Sequence, residues 1–169
     1  EDISGEDIEA AKELAGVLTA EIKCAEPEAT LSFESEEYTD ELPVMHPRSF
    51  EKFLFLLTQA PNGVQVNSAE IPGLVESSLN LGICKMTSEG MELHWSFRSS
   101  KASYLEFLKE KMIYLIGFLG GDYEVSGEYP AWEYKADSKL RSVLVKTYTD
   151  MYGKEPEVLA IHAGLECGL

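Results

Sequence analysis

Two adjoining runs of residues restrict the fold of this chain more than any other feature of its sequence. Leu74–Thr87 is rich in strand-forming residues, Ser88-Glu89-Gly90 is a turn signal, and Met91–Arg98 alternates between apolar and polar side chains. Because successive side chains of a strand point to opposite faces, this pattern predicts an antiparallel hairpin. Its second strand directs Leu93, Trp95 and Phe97 to one face and Glu92, His94, Ser96 and Arg98 to the other.

Segments with helical periodicity surround the hairpin. The helices predicted around it are 4–23, with Ser4 as N-cap and Asp7 at the capping-box position, 48–59, and 101–119. Shorter strands are predicted at Ala29–Ser35 and Tyr123–Gly127. Together these elements predict an α+β fold of two layers, an antiparallel sheet with helices on one face.

The pattern changes after Trp132. Asp137 or Ser138 is predicted to cap a helix that runs to Tyr152 and is closed by Gly153. This helix is predicted to bury Leu140, Val143, Leu144 and Tyr148, and Val158–Ile161 is a continuous apolar run. Such a run is typical of a strand buried on both faces of a parallel sheet. We therefore predict one domain over residues 1–131, incomplete at its start, and the beginning of an α/β domain over 132–169. A lone parallel strand buries nothing, so we expect the natural protein to continue.

Charge and cysteine content exclude several functions. The formal net charge of −16 argues against nucleic acid and against an anionic membrane surface, since both bind clusters of Lys and Arg. No apolar run is long enough to span a bilayer. Cys24, Cys84 and Cys167 are scattered and form no CxxC pair, so reduced thiols in a cytoplasmic protein are the simplest interpretation.

The end of the chain carries the clearest candidate site. His162, Glu166 and Cys167 follow the apolar run, and Gly164 and Gly168 frame a tight turn. In α/β sheets ligands bind at the carboxyl ends of strands, which favours a binding site here. A strand-to-helix turn with glycines for geometry alone explains the same spacing. The three histidines, His46, His94 and His162, are too far apart in sequence to indicate a metal site by themselves.

Several segments resemble one protein family. His162–Gly168 is similar to a signature of the aminoacyl-histidine dipeptidases, also called cytosol non-specific dipeptidases. Further segments resemble the same family in the same order: Ala60–Val64, Val75–Gly82, Phe97–Ser99, Tyr129–Trp132 and Ala136–Ser138. The resemblance covers essentially the whole chain and departs conservatively at Ala131, where the family pattern has Gly.

The resemblance implies a hydrolase with an α/β catalytic domain that holds two metal ions, usually zinc, and a lid domain inserted into it. Such enzymes cleave dipeptides, including Xaa-His. Residues 1–131 would be the lid domain and 132–169 the return into the catalytic domain. The family's metal ligands, bridging Asp and general-base Glu lie outside the segments present here. We therefore expect no catalytic and no metal-ligating residue in this chain, and no activity from the chain alone.

Four residues are candidates for substrate binding. By resemblance Arg98 binds the substrate carboxylate, a role that suits its planar, bidentate guanidinium; the alternative is a solvated charge at the end of a strand. The Asn80 amide would donate to the carbonyl under attack, or else serve only in the strand ladder or at a bulge. Gly164 would let backbone approach the ligand. Glu166 would meet the substrate ammonium, or else stabilise a helix N-terminus.

A different class of function fits the same predicted fold. A free-standing α+β module that binds or dimerises through a sheet edge would need no catalytic residues. Lid domains of related peptidases pair in this way, so a homodimer through residues 1–131 is possible under both interpretations. The sequence flanking the chain would distinguish them, because the enzyme requires segments rich in metal ligands.

Overall fold

The computed structural model of the chain describes residues 3–32, 34, 44–87 and 89–163, which fall into two compact units, 1–44 and 45–169. The first unit contains helix α1 (Gly5–Ile22). The described elements of the second unit, in chain order, are α2 (Pro47–Gln59), β1 (Gly63–Asn67), β2 (Val75–Met86), β3 (Met91–Ser99), α3 (Ala102–Leu119) and α4 (Lys139–Tyr152).

Helix α1 begins with the capping box predicted from the sequence. The Ser4 side chain accepts a hydrogen bond from the Asp7 amide at 3.2 Å, and the Ser4 amide donates to the Asp7 carboxylate at 3.0 Å. The Ser4 hydroxyl also donates a hydrogen bond to the Asp7 carboxylate at 2.6 Å. This bond, first, and the bond from the Ser4 amide, second, lower the pKa of the Asp7 carboxyl group. The strand predicted at Ala29–Ser35 is not found over residues 29–32; Phe33 and Ser35 lie outside the described residues.

The described sheet of the second unit has the order β1-β2-β3, and both pairings are antiparallel. The β2–β3 hairpin follows the predicted pattern, since residues of β3 are alternately half-buried and exposed. Strand β1 was not predicted, because Pro61-Asn62-Gly63 indicated only the end of a helix. Gly63 enters this strand at φ 75°, a left-handed conformation that glycine adopts without steric cost.

The side chain of Asn62 makes one further hydrogen bond to β2, beyond the first residue of the short strand β1. The first residue of β1, Gly63, lies opposite Leu79, so the backbone amide of Leu81 lies past the start of that strand. The Asn62 Oδ1 atom accepts a hydrogen bond from this amide at 3.0 Å. An amide that would otherwise lack a strand partner is therefore satisfied by a side chain.

The hydrophobic core lies between the sheet and α3. Leu79, Leu108 and Met112 are buried, and Trp95 and Phe97 are among the partly buried side chains packed against them. Helix α2 packs beside α3, and its Lys52 donates a hydrogen bond to the carbonyl of Leu119 at the end of α3. Helices therefore cover one face of an antiparallel sheet, which confirms the predicted α+β class.

A β-bulge interrupts the central pairing. Leu81 lies opposite Trp95, but Ile83 lies opposite His94, so Gly82 is an extra residue in β2. Beyond the bulge the alternation of β2 is offset by one residue, and Ile83 is exposed.

The region after α3 differs from the prediction in its strands. Tyr123–Gly127 and Val158–Ile161 form no strand, and Val158, Leu159 and Ile161 are exposed. A strand is stable only where a neighbouring strand pairs its backbone, and no described residue does so for either segment.

Helix α4 begins after its N-cap, Ser138, which is one of the two predicted candidates and whose side chain accepts a hydrogen bond from the Arg141 amide. It ends at Gly153, with φ 68°. Its predicted buried face is exposed instead, since Leu140, Val143, Leu144 and Tyr148 all contact solvent. The cause is that no described element packs against this face. The domain boundary near Trp132 stays a prediction.

Candidate functional site

The outer face of the β2–β3 hairpin gathers the polar side chains that the sequence singled out. The register places Ser78 opposite Arg98 and Asn80 opposite Ser96. Directly opposite residues of antiparallel strands have Cβ atoms about 4.5–5.5 Å apart, and diagonal neighbours also lie within reach of long side chains. Arg98 and Asn80 are both exposed, so the two predicted binding residues share one accessible surface.

His162 reaches this surface from the far end of the chain. Its Nε2 atom lies 2.8 Å from the Ser78 Oγ atom, a hydrogen bond between residues 84 positions apart. Burial, first, and the positive charge of Arg98, second, lower the pKa of the His162 imidazole. His162 is therefore neutral at pH 7 and leaves Arg98 as the cation of this cluster.

The chemistry of the cluster suits a small polar ligand with a carboxylate. Within the described parts of the chain Arg98 forms no salt bridge, so its guanidinium has hydrogen-bond donors to offer. A guanidinium binds a carboxylate through two parallel hydrogen bonds. The Asn80 amide and the Ser96 hydroxyl add neutral donors and acceptors on the same face, while the Ser78 hydroxyl is hydrogen-bonded to His162.

The other predicted residues are placed as follows. Gly164 and Glu166 lie outside the described residues, and their roles stay predictions. His46 precedes α2 as its N-cap, and its Nδ1 atom accepts a hydrogen bond from the Arg48 amide at 3.2 Å. His94 pairs with the Glu92 carboxylate on the exposed face of β3. Neither His46 nor His94 joins the Arg98 cluster.

Residues 3–32, 34, 44–87 and 89–163 bring together no group of three or more His, Cys, Asp or Glu side chains that would hold a metal ion. A two-metal site needs several such ligands held together, so the described residues do not fit one. None of the helices in these ranges is long and apolar enough to cross a membrane.

Two grooves lie away from this cluster. The larger, of about 480 Å³, runs along α4 and is lined by mainly apolar side chains, including Leu144, Tyr148, Val158 and Leu159. The smaller, of about 240 Å³, lies between α2 and the sheet beside Asn62 and Trp95. Neither groove contains a cluster of convergent polar groups like that around Arg98, so neither is the preferred binding site.

Ser78 is the member of the cluster that sequence reasoning did not select. Its position was accessible to such reasoning, because alternation along β2 places it on the same face as Asn80. No local sequence pattern predicts the contact of Ser78 with His162, since this contact depends on where the last described segment of the chain passes over the sheet.

The fold is that of a segment similar to known dipeptidases. The chain is 34% identical over 145 residues to the cytosol non-specific dipeptidase of Escherichia coli (strain K12), a match that covers 86% of this chain and 30% of that protein. Its structure superimposes on the crystal structure of aminoacylhistidine dipeptidase from Vibrio alginolyticus with a TM-score of 0.84 and 30% sequence identity, over 98% of this chain and 34% of that one.

These similarities confirm the resemblance seen in the sequence: over most of its length the chain is similar to a part of proteins named aminoacylhistidine dipeptidase and cytosol non-specific dipeptidase. It spans about a third of the length of these relatives. No protein-family model matches the chain.

Proposed function

We propose that this chain is the lid, with the return into the catalytic domain, of a longer metal-dependent dipeptidase that acts in the cytoplasm on dipeptides such as Xaa-His. The observation that carries the proposal is the exposed outer face of the β2–β3 hairpin. There, Arg98 and Asn80 share one accessible surface in a chain whose matched relatives are named as dipeptidases.

Each residue of this face has a definite task in the proposal. The Arg98 guanidinium binds the carboxylate at the substrate's C-terminus, which fixes one end of the dipeptide. The Asn80 amide donates a hydrogen bond to the carbonyl of the scissile bond, where negative charge develops during attack. Binding both groups at once holds the dipeptide in one orientation and excludes longer peptides, whose chain continues past the position of the carboxylate.

Zinc is part of the proposal for the whole protein. We assign its ligands to other segments, since the described residues bring together no group of three or more His, Cys, Asp or Glu side chains. No step of the reaction is assigned to a metal held by this chain. The exposed apolar side chains of α4 and of Val158–Ile161 support a larger protein, because a surface of this kind is normally covered. In the proposal the remainder of the catalytic domain covers it.

Hydrolysis of free dipeptides by the full-length protein tests this function. We expect cleavage of Xaa-His dipeptides, loss of activity on dialysis against a chelator, and recovery with zinc. C-terminal amides of the same dipeptides should be poor substrates, because they lack the carboxylate that Arg98 binds. Equal rates on dipeptides and on their amides would contradict the role of the outer face.

The isolated chain provides the matched control. It should hydrolyse no dipeptide and hold no stoichiometric zinc after purification, as measured by elemental analysis. One tightly held zinc ion per chain would overturn the assignment of the metal ligands to other segments.

An assembly role is compatible with the same sheet. Strand β3 is the last strand in the described order, so its second backbone edge is open to pairing. Pairing of this edge with a second copy of the chain would give a homodimer through the lid. The dipeptide substrate would be a separate binding partner. Light scattering coupled to size-exclusion chromatography distinguishes monomer from dimer, and a proline substitution in β3 at Leu93 should disrupt a dimer that uses this edge.

A further inference from the structure

The hydrogen bond between Ser78 and His162 links two distant parts of the chain at the predicted binding surface. Ser78 lies on β2, directly opposite Arg98 on β3. His162 lies in the segment that follows α4, and its Nε2 atom is 2.8 Å from the Ser78 hydroxyl. Both side chains are partly buried, unlike the exposed Arg98 and Asn80.

His162 lies on the same face as Arg98, because its hydrogen-bond partner Ser78 is directly opposite Arg98 on the neighbouring strand. The positive charge of Arg98 also contributes to the lowered pKa of the imidazole. A long, flexible arginine side chain loses less entropy on binding when its surroundings already limit its rotamers. A neutral imidazole provides this limit without adding a second positive charge, which a single carboxylate does not require.

We propose that Ser78 and His162 form a positioning pair for Arg98, so that the carboxylate subsite is built jointly by β2, β3 and the segment around His162. This inference rests on the proposed dipeptidase function. Ser78 fixes the imidazole through its Nε2 atom, and the imidazole in turn fixes the direction of the guanidinium. The pair sets how well a free C-terminal carboxylate is bound and takes no part in bond cleavage.

Two substitutions of His162 distinguish the loss of its hydrogen bond to Ser78 from a change in side-chain volume. The amide nitrogen of glutamine can occupy the position of the imidazole Nε2 atom, whereas the shorter asparagine cannot reach Ser78. In the full-length protein, we expect His162→Asn and Ser78→Ala to raise KM for free dipeptides roughly three- to tenfold, as the loss of one neutral hydrogen bond implies. His162→Gln should keep KM close to the wild-type value, and kcat should change little in all three.

The amide substrates and a surface histidine supply the controls. Ser78→Ala and His162→Asn should leave the KM for dipeptide amides unchanged, because these substrates have no carboxylate for Arg98. His94→Gln, on the same strand face but paired with Glu92, should leave both KM values unchanged. Equal effects of His162→Gln and His162→Asn, or equal effects on dipeptides and amides, would overturn the positioning role.

A titration of the isolated chain tests the pair without any activity. We expect NMR to show the His162 imidazole titrating below the ordinary value of 6.5. Both Ser78→Ala, which frees the ring, and Arg98→Gln, which removes the charge, should raise its pKa. An ordinary pKa that neither substitution changes would show that the pair does not exist. If the pair titrates as expected but the full-length protein cleaves no dipeptide, the proposed function and the carboxylate role both fail, and only the contact stands.

Discussion

Neighbouring residues of the β2–β3 hairpin have different roles, because they lie on opposite faces of the sheet. Leu79 on the inner face is 1% exposed and packs against Leu108 and Met112, while Asn80, the next residue, is exposed on the outer face. Phe97 and Arg98 divide in the same way on β3. The inner face therefore stabilises the fold and the outer face is free to bind, so residues of the outer face can change with little cost to stability.

The sharpest test of this division substitutes adjacent residues. Leu79→Ala should lower the free energy of unfolding of the chain by about 2–5 kcal/mol, because it leaves a cavity against α3. Asn80→Ala should change it by less than about 0.5 kcal/mol, as is usual for an exposed position. Urea denaturation followed by circular dichroism measures both. Similar losses from the two substitutions would show that the faces do not differ as described.

The largest expected effect on activity comes from the outer face. In the full-length protein, Arg98→Ala should lower kcat/KM for dipeptides by roughly a hundredfold or more, because loss of a charged partner costs about 2–5 kcal/mol. Arg98→Lys should recover little, since a point charge does not reproduce a bidentate fork. Metal content and stability should stay at wild-type levels. Wild-type kinetics in Arg98→Ala would show that this residue is only a charge at the end of a strand.

A smaller expected effect, on substrate preference, tests whether a residue outside the sheet also binds the substrate. Glu166 lies outside the described residues and is predicted to meet the substrate ammonium. Glu166→Gln should then impair cleavage of free dipeptides far more than of N-acylated analogues, with stability little changed. If Glu166 only stabilises a helix N-terminus, the substitution should lower stability by about 0.5–1 kcal/mol and leave the preference intact. Equal loss on both substrates with intact folding would exclude ammonium recognition.

The smallest expected effect is a pH dependence of the free energy of unfolding, which comes from His162 on the outer face. The pKa of His162 is lower in the folded chain than its ordinary value of 6.5, so the unfolded chain binds this proton more readily. The contribution of His162 to stability is therefore complete above pH 6.5 and is lost as pH falls through the lowered folded-state pKa. The difference in unfolding free energy between wild type and His162→Gln, measured from pH 7.5 downwards, should change across this window. A constant difference would contradict the linkage.

Local patterns predicted most of the folded elements. Period-two alternation fixed which residues of β3 face the core, and the capping residues Ser4, Ser138 and Gly153 marked helix ends correctly. Arg98 occupies an outward position in that alternation, so its exposure follows from the sequence. The register that places Asn80 on the same face depends on the extra residue at Gly82, which was not predicted.

Features that depend on partners distant in sequence were not predictable. Strand β1 forms because its backbone pairs with the edge of β2, and no local pattern in the five residues of β1 predicts that pairing. The run Val158–Ile161 has the composition of a buried strand, yet composition cannot supply the neighbour that a strand needs. The contact between Ser78 and His162 closes a separation of 84 residues, which only the tertiary fold determines.

The bulge at Gly82 divides the hairpin into a part whose geometry is constrained and a part that is free to vary. Between the bulge and the turn at Thr87–Gly90, the side chains Ile83, Lys85 and Met86 are all exposed. Pairs of residues inserted or deleted in this outer part would leave Leu79 facing inward and Arg98 facing outward, because the inner register lies on the other side of Gly82. The tip of the hairpin is therefore where related sequences can differ in length during evolution without altering the proposed binding surface.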